Sequence, residues 1–253
     1  MTAATPRLVA FDLDDTLAPS KSAIDPRMGA LLVALAERVS VAIISGGRLE
    51  QFTSQVVDRL PDTRPEVRER IHLLPACGTQ YYRLRPDGIE TVYARGLDED
   101  QRAEAMRVLE EEARGLGFWE ATTWGDIIED RGSQITFSAL GQQAPLDAKA
   151  AWDPSGAKRD ALTAAVAARL PDLEVRSGGS TSIDITEHGI DKAFGMRRLV
   201  EQTGIPLDEM LFVGDRLDPA GNDYPVLAMG AACHAVTGWE STAEFLEGLI
   251  PRL

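Results

Sequence analysis

Short apolar runs alternate with stretches whose apolar positions recur every three or four residues, most clearly at the two ends of the chain. Leu8-Val9-Ala10-Phe11 is an unbroken apolar run that stops at acids, the signature of a buried parallel strand. Asp25-Pro26 supplies an N-cap and a first helical residue, and Met28, Leu31, Leu32 and Leu35 follow on one helical face. Residues 39–44 predict the next strand, broken by Ser45-Gly46-Gly47. Leu49, Phe52, Val56 and Leu60 then mark a second amphipathic helix, and residues 71–74 a third strand. This βαβαβ opening predicts a doubly wound α/β fold, a parallel sheet with helices on both faces. The C-terminal part repeats the grammar. Asp191 caps a helix with Ala193, Met196, Leu199 and Val200 inward and Gly204 at its end, and strands are expected at 210–213 and 231–236 before a terminal helix over 241–249.

The middle reads differently. A hairpin around Pro86-Asp87-Gly88, a charged helix over 98–114, a helix over about 155–170 and short strands near 127–128, 133–140, 173–177 and 181–186 predict an α+β insert. The expected division is a core made of 1–81 and 188–253, with the insert at 82–187. The run Glu110-Glu111-Glu112 is expected to be a solvated helix face.

Composition narrows the function. The 253 residues carry Lys+Arg 26 against Asp+Glu 40, a formal charge of −14. That excess and the lack of a basic run disfavour nucleic acid and anionic membranes as partners. No apolar stretch reaches the roughly 18 residues of a membrane span, and the N-terminus lacks the apolar segment of a signal peptide, so a cytoplasmic protein is expected. Cys77 and Cys233 fit no metal or disulfide pattern and read as buried, reduced thiols. The partners expected are small molecules or other protein chains.

Four polar clusters sit at predicted strand ends or at a helix start: Asp12-Leu13-Asp14-Asp15-Thr16, Ser45-Gly46-Gly47-Arg48, Lys192, and Gly214-Asp215 through Gly221-Asn222-Asp223. Ligands of open α/β sheets bind at those ends, so the clusters can meet in one crevice. Their residue types match phosphoryl transfer. Asp12 can attack phosphorus, and Asp14 can protonate the leaving oxygen and later activate water. Asp215, with Asp12 and the backbone carbonyl of Asp14, offers hard oxygen ligands for Mg²⁺, while Asn222 and Asp223 complete the acidic wall. The Ser45 hydroxyl, the N–H groups of Gly46 and Gly47 and the Lys192 ammonium can hold the remaining phosphate oxygens.

These four motifs, in this order, resemble those of the haloacid dehalogenase (HAD) superfamily of aspartate-nucleophile phosphotransferases, and the insert is similar to its type IIB cap. The resemblance spans the chain. It implies a HAD-like core, an inserted cap that closes over the crevice, and Mg²⁺ as cofactor. A narrower resemblance, to the eukaryotic-type phosphomannomutases, rests on Gly214-Asp215-Arg216-Leu217-Asp218-Pro219-Ala220-Gly221-Asn222-Asp223-Tyr224 and on the segment Gly178-Gly179-Ser180-Thr181-Ser182-Ile183-Asp184. It implies that Gly179, Ser182 and Asp184 contact a sugar phosphate. Arg131 matches a family arginine, but Lys21 and Gln142 replace two others, and a third falls near Trp124. Gln142 carries no charge and Lys21 lacks the planar fork, which weakens the hold on a bisphosphate.

The sequence thus predicts a Mg²⁺-dependent sugar-phosphate phosphatase working through an aspartyl-phosphate. Hexose-phosphate mutase activity is the alternative, and a receiver-like phospho-acceptor module the non-enzymatic one. A homodimer through the cap is a further implication of the resemblance. Among the remaining candidates, Asp15 is expected to be a turn former, Asp218 a loop acid, and Trp119 and Trp124 packing residues; His188 precedes the Lys192 helix closely enough for substrate contact to be its minority reading. His72, His188 and His234 lack metal-ligand spacing.

Overall fold

The computed structural model describes residues 5–178 and 181–253. They form two compact units, one running to Ala94 and resuming over Ile190–Leu253, the other Arg95–Gly189. The first unit opens with β1 (Leu8–Phe11), α1 (Pro26–Ala36), β2 (Ser40–Ile44), α2 (Leu49–Gln55), α3 (Pro65–Arg68) and β3 (Ile71–Leu74), then the hairpin β4 (Gln80–Arg85) and β5 (Gly88–Ala94). The second unit holds α4 (Glu99–Gly115), β6 (Ile128–Asp130), β7 (Gln134–Ser138), α5 (Leu146–Trp152), α6 (Ala157–Arg169), β8 (Glu174–Ser177) and β9 (Ser182–Thr186). The chain returns to the first unit with α7 (Lys192–Thr203), β10 (Met210–Gly214), α8 (Tyr224–Ala228), β11 (Ala232–Ala235) and α9 (Trp239–Leu249).

Among the described residues the first unit is built on one seven-stranded sheet in the order β11-β10-β1-β2-β3-β4-β5. The first five strands in that order are parallel and the hairpin is antiparallel. From β1 the chain moves outward to β2 and β3, whereas β10 and β11 lie on its other side. The strand order therefore reverses between β1 and β10, which opens a crevice at their carboxyl ends. All four residues of β1 are fully buried because helices cover both sheet faces: Val9 and Phe11 pack with Met28, Leu32 and Leu35 of α1, and Leu8 and Ala10 with Met196 and Leu199 of α7. Asp25 caps α1 by accepting the Arg27 N–H, as its place before Pro26 implies.

Two expectations need correction. The hairpin, of which 82–94 was assigned to the insert, extends the core sheet instead: β4 pairs with β3, and Leu84 is buried in the same cluster as Val41 and Leu73. The unit boundary therefore falls at Arg95, because an uncovered β3 would leave a row of unpaired backbone groups. The expected helix from Leu49 to Leu60 stops at Gln55 and continues as a 3₁₀ turn over Val57–Arg59. There the Gln55 carbonyl accepts the Ile24 N–H at 2.9 Å, a distant donor that replaces the next helical bond. Phe52, Val56 and Leu60 are nonetheless buried, so the apolar spacing is still used.

The second unit is an antiparallel four-stranded sheet, β6-β7-β9-β8. Helices α4 and α6 cover one face, where Val108, Leu109, Leu162 and Val166 meet Ile135, Phe137, Ile183 and Ile185. The acidic run on α4 is not merely solvated, since Glu111 and Glu112 pair with Arg169 of α6 and Glu110 with Arg114. Helix α5 had no counterpart in the sequence reading. Cys77 and Cys233 are free thiols, half-buried rather than buried. Among the described residues no helix is long and apolar enough to cross a membrane.

Leu35 is fully buried between α1 and the sheet. Leu35→Ala is expected to destabilise the protein by about 2–5 kcal/mol, the range for an unrelaxed aliphatic cavity, measured by urea unfolding.

Candidate active site

The crevice between β1 and β10 gathers the charged residues of three distant segments. The Asp12 N–H continues the sheet by donating to the Val213 carbonyl, which fixes its side chain at the end of β1. Lys192 opens α7, whose N-terminus is set by the Asp191 carboxylate accepting the Phe194 N–H at 2.8 Å. The Lys192 ammonium lies 2.6 Å from Asp12 Oδ1 and 2.5 Å from Asp223 Oδ1, and all three side chains are almost wholly buried. Asp223 is oriented from its other oxygen by the Arg216 N–H at 3.0 Å. A Cβ at Gly214 would overlap the Asp223 carboxylate, so a glycine there lets the loop fold back. Asp215, half-buried, accepts the Thr16 hydroxyl at 3.2 Å, and the Thr16 carbonyl in turn accepts Thr242 Oγ1 of α9 at 2.7 Å.

Burial dominates the electrostatics. It raises the Asp12 carboxyl to about 7; the Lys192 ammonium opposes the rise and Asp223 adds to it. Burial alone would weaken the Lys192 ammonium, but Asp12 and Asp223 more than offset this and raise its pKa. Asp215 is also raised, by burial and then by Asp223. Asp12, Asp215 and Asp223 each bring a carboxylate oxygen to within 4.8 Å of the others. Three carboxylates against one ammonium leave an excess of two negative charges. An all-oxygen donor set with that excess fits a hard divalent cation that keeps positions for water and phosphate oxygens.

The second cluster follows β2. Ser45 Oγ accepts the Gly47 N–H at 3.2 Å, the Ser45 carbonyl accepts the Cys77 N–H, and the Gly47 carbonyl accepts the Ala76 N–H. A Cβ at Gly46 would meet open space, whereas one at Gly47 would collide with the Gln51 amide. That amide reaches Asp14 Oδ2 at 3.4 Å, and Asp14 Oδ1 accepts the Lys21 backbone N–H at 2.7 Å. Lys21 thus meets the site through its backbone, in a left-handed conformation with φ 57°. Asp15, with φ 60°, accepts the Ser20 N–H and is a turn former, as expected. Asp218 likewise serves its loop, accepting from Ala220 and Arg216. Asn222 is exposed, and the buried acid of that pair is Asp223.

In the second unit Ser182 and Asp184 share one face of β9, and Asp184 accepts the Thr136 hydroxyl. Arg131 is bonded to the Glu129 carboxylate at 2.6 Å. Gln142 follows Gly141, where a Cβ would overlap the Trp124 carbonyl, and its own carbonyl accepts Lys149 Nζ. Gly179 lies outside the described residues. Trp119 packs as expected, against Phe137 and under Arg114, whereas Trp124 is 46% exposed. His188 pairs with the Pro171 carbonyl, and His72 is buried against the Tyr81 hydroxyl. The sequence reading passed over Thr16 as a partner of Asp215, and also Gln51, Thr242, Gln134 and Thr136. Their only signal was a polar side chain on a buried or helix-start position.

The family model for eukaryotic phosphomannomutase matches residues 120–251. A probable phosphomannomutase of Caenorhabditis elegans is 24% identical over 97% of this chain and 96% of its own length. The phosphomannomutase of Spinacia oleracea is 24% identical over 95% and 94%. Among solved structures, a haloacid dehalogenase-like hydrolase from Bacteroides thetaiotaomicron superposes over 97% of this chain and all of its own, with TM-score 0.66 and 18% identity. An N-terminally truncated IMP-nucleotidase of Plasmodium falciparum superposes over 97% of this chain and 70% of its own, with TM-score 0.72 and 14% identity. Fold and motif order thus define an enzyme of the HAD superfamily. Within it, the chain belongs to the eukaryotic phosphomannomutase family.

In the metal-free protein, folded Asp12 keeps its proton up to about pH 7, while the unfolded side chain loses it near 3.8. This group therefore lowers stability as pH rises through that window. A divalent cation binds the carboxylate and competes with the proton, so the rise in Tm on adding metal is expected to be larger at pH 8 than at pH 5.5. A metal-induced shift independent of pH, read by scanning calorimetry, would count against Asp12 as a ligand.

Proposed function

We propose that the chain is a Mg²⁺-dependent phosphotransferase acting on hexose phosphates, with phosphomannomutase activity as its net reaction. The observation that carries the proposal is Asp12, ion-paired to Lys192 at the switch point and flanked by Asp215 and Asp223. The phosphomannomutase relatives, aligned over nearly the whole chain, support the mutase outcome.

Asp12, Asp215 and Asp223 would hold the cation, which when bound neutralises phosphate oxygens and stabilises charge on the group in transfer. An Asp12 carboxylate oxygen forms a bond to phosphorus as the ester P–O bond breaks. The leaving sugar oxygen takes a proton from Asp14, which the Lys21 N–H and the Gln51 amide orient. Ser45 and the Gly46 and Gly47 N–H groups bind phosphate oxygens, and Lys192 opposes protonation of Asp12 and aims it. In the second step Asp14 takes the proton of the acceptor hydroxyl, whose oxygen bonds to phosphorus as the Asp12–phosphorus bond breaks. With a sugar hydroxyl as acceptor the reaction is a mutase; with water it is a phosphatase.

A phosphatase is the second reading. It is favoured by the uncharged Gln142 and the exposed Trp124 at positions where the family resemblance leads one to expect arginine. The test supplies mannose 1-phosphate, Mg²⁺ and a catalytic amount of hexose bisphosphate. Mannose 6-phosphate is expected to accumulate faster than inorganic phosphate, and the reverse order would establish the phosphatase. Asp12→Asn is expected to lower either activity at least about a thousandfold. Retained turnover in that variant would overturn the nucleophile assignment.

A further inference from the structure

The four-stranded sheet of the second unit has one apolar face and one polar face. Register pairs Gln134 with Thr186, Thr136 with Asp184 and Ser138 with Ser182, so these six polar side chains share the face opposite Ile135, Phe137, Ile183 and Ile185. Asp184 is the one ionisable residue of the six. Gln134 and Thr136 are buried, at 2% and 3% exposure, whereas Asp184 and Ser182 keep partial exposure. The row therefore has a buried floor beside a half-buried carboxylate.

Hydrogen-bond directions run toward that carboxylate. Gln134 Nε2 donates to Thr136 Oγ1 at 2.9 Å, and Thr136 Oγ1 lies 2.7 Å from Asp184 Oδ1. A hydroxyl has one proton, and because Gln134 occupies a lone pair of Thr136, that proton goes to the carboxylate. Asp184 Oδ2 is turned to the backbone of Gly178, where a Cβ would come within 2.9 Å of it and 2.7 Å of Ser182 Oγ. Glycine at that position lets the backbone pass close to both oxygens without a side chain of its own between them. Burial raises the Asp184 carboxyl, and the field of Arg131 with the Thr136 and Gln134 hydrogen bonds acts to keep it ionised. A carboxylate held in this way accepts from hydroxyl donors and repels phosphate.

We propose that Gln134 and Thr136 belong to the sugar subsite as positioning residues, holding Asp184, the carboxylate that the family resemblance already assigns to it, ready to accept a sugar hydroxyl. This rests on the hexose-phosphate activity proposed above. Thr136→Val removes the donor while keeping the shape. It is expected to raise KM for hexose phosphate about tenfold with kcat changed no more than about twofold, and Thr136→Ser is expected to restore KM. Gln134→Leu should raise KM in the same direction by a smaller factor, and it carries the test if Thr136→Val fails to fold. With an active wild-type protein, an unchanged KM in the folded variants, a loss confined to kcat, or failure of Thr136→Ser to restore KM overturns the subsite alone. A wild-type protein inert toward every hexose phosphate overturns the proposed function, and the subsite with it.

Discussion

A buried ammonium shared by two buried carboxylates organises the first unit. Lys192 cannot lose either partner cheaply, because a stranded buried charge costs about 3–5 kcal/mol, and so three segments must arrive at one point. Asp12 arrives on the most buried strand, Lys192 on the first turn of α7, and Asp223 on a loop folded back beside Gly214. The helix is brought in by close backbone packing: a Cβ at Gly78 would lie 2.6 Å from the Gly195 Cα. That approach requires the chain after β3 to turn sharply, with Ala76, Cys77 and Gly78 all at positive φ. A non-glycine residue in that region costs about 1–3 kcal/mol, and here two of them buy the Ser45 loop its anchors, the Ala76 and Cys77 N–H groups. Strain after β3, the Ser45 loop and the Lys192 pair are parts of one construction.

The same pair explains why the site calls for a cation. One ammonium satisfies two carboxylates geometrically but not electrically, and Asp215 adds a third negative charge within reach. Asp12 is raised although it touches Lys192, because desolvation and Asp223 together outweigh one ion pair. The overall charge of −14 gives such a centre no long-range positive field with which to attract phosphate. Positive potential must be local, from the lysine and the N–H groups after Ser45, with the proposed divalent ion as a third source.

Much of this was legible in the chain because it is local. Strand β1 and the caps Asp25 and Asp191 follow from short-range chemistry, and the clusters at strand ends follow from the rule that open sheets bind ligands there. What escaped the sequence is long-range or compensatory. Thr242 supports Thr16 from 226 residues away, and no local pattern announces that bond. The helix after Gly47 ends early because a carbonyl finds a donor in another segment, while the apolar spacing runs on unchanged. The hairpin reads as part of the insert because its strands mix polar with apolar residues, yet edge pairing with β3 assigns it to the core. Gln134 and Thr136 read as ordinary strand polarity until register places them beneath Asp184.

The centre in the first unit is indifferent to the fate of the phosphoryl group. In the proposed reaction Asp12 would accept it in either case, and Asp14 would take a proton from water or from a sugar hydroxyl. A mutase must keep its sugar near the phosphoenzyme long enough for the second hydroxyl to react. Arginines would supply that hold through the second phosphate. Gln142 and Trp124 cannot, and Arg131 is already bonded to Glu129. On the reading proposed above, a neutral hydroxyl grip has one physical advantage. It does not weaken as phosphate leaves one end of the sugar and returns at the other, because hydroxyls remain on the ring throughout. The polar row on β7 and β9 therefore bears directly on whether the loss of arginines implies hydrolysis.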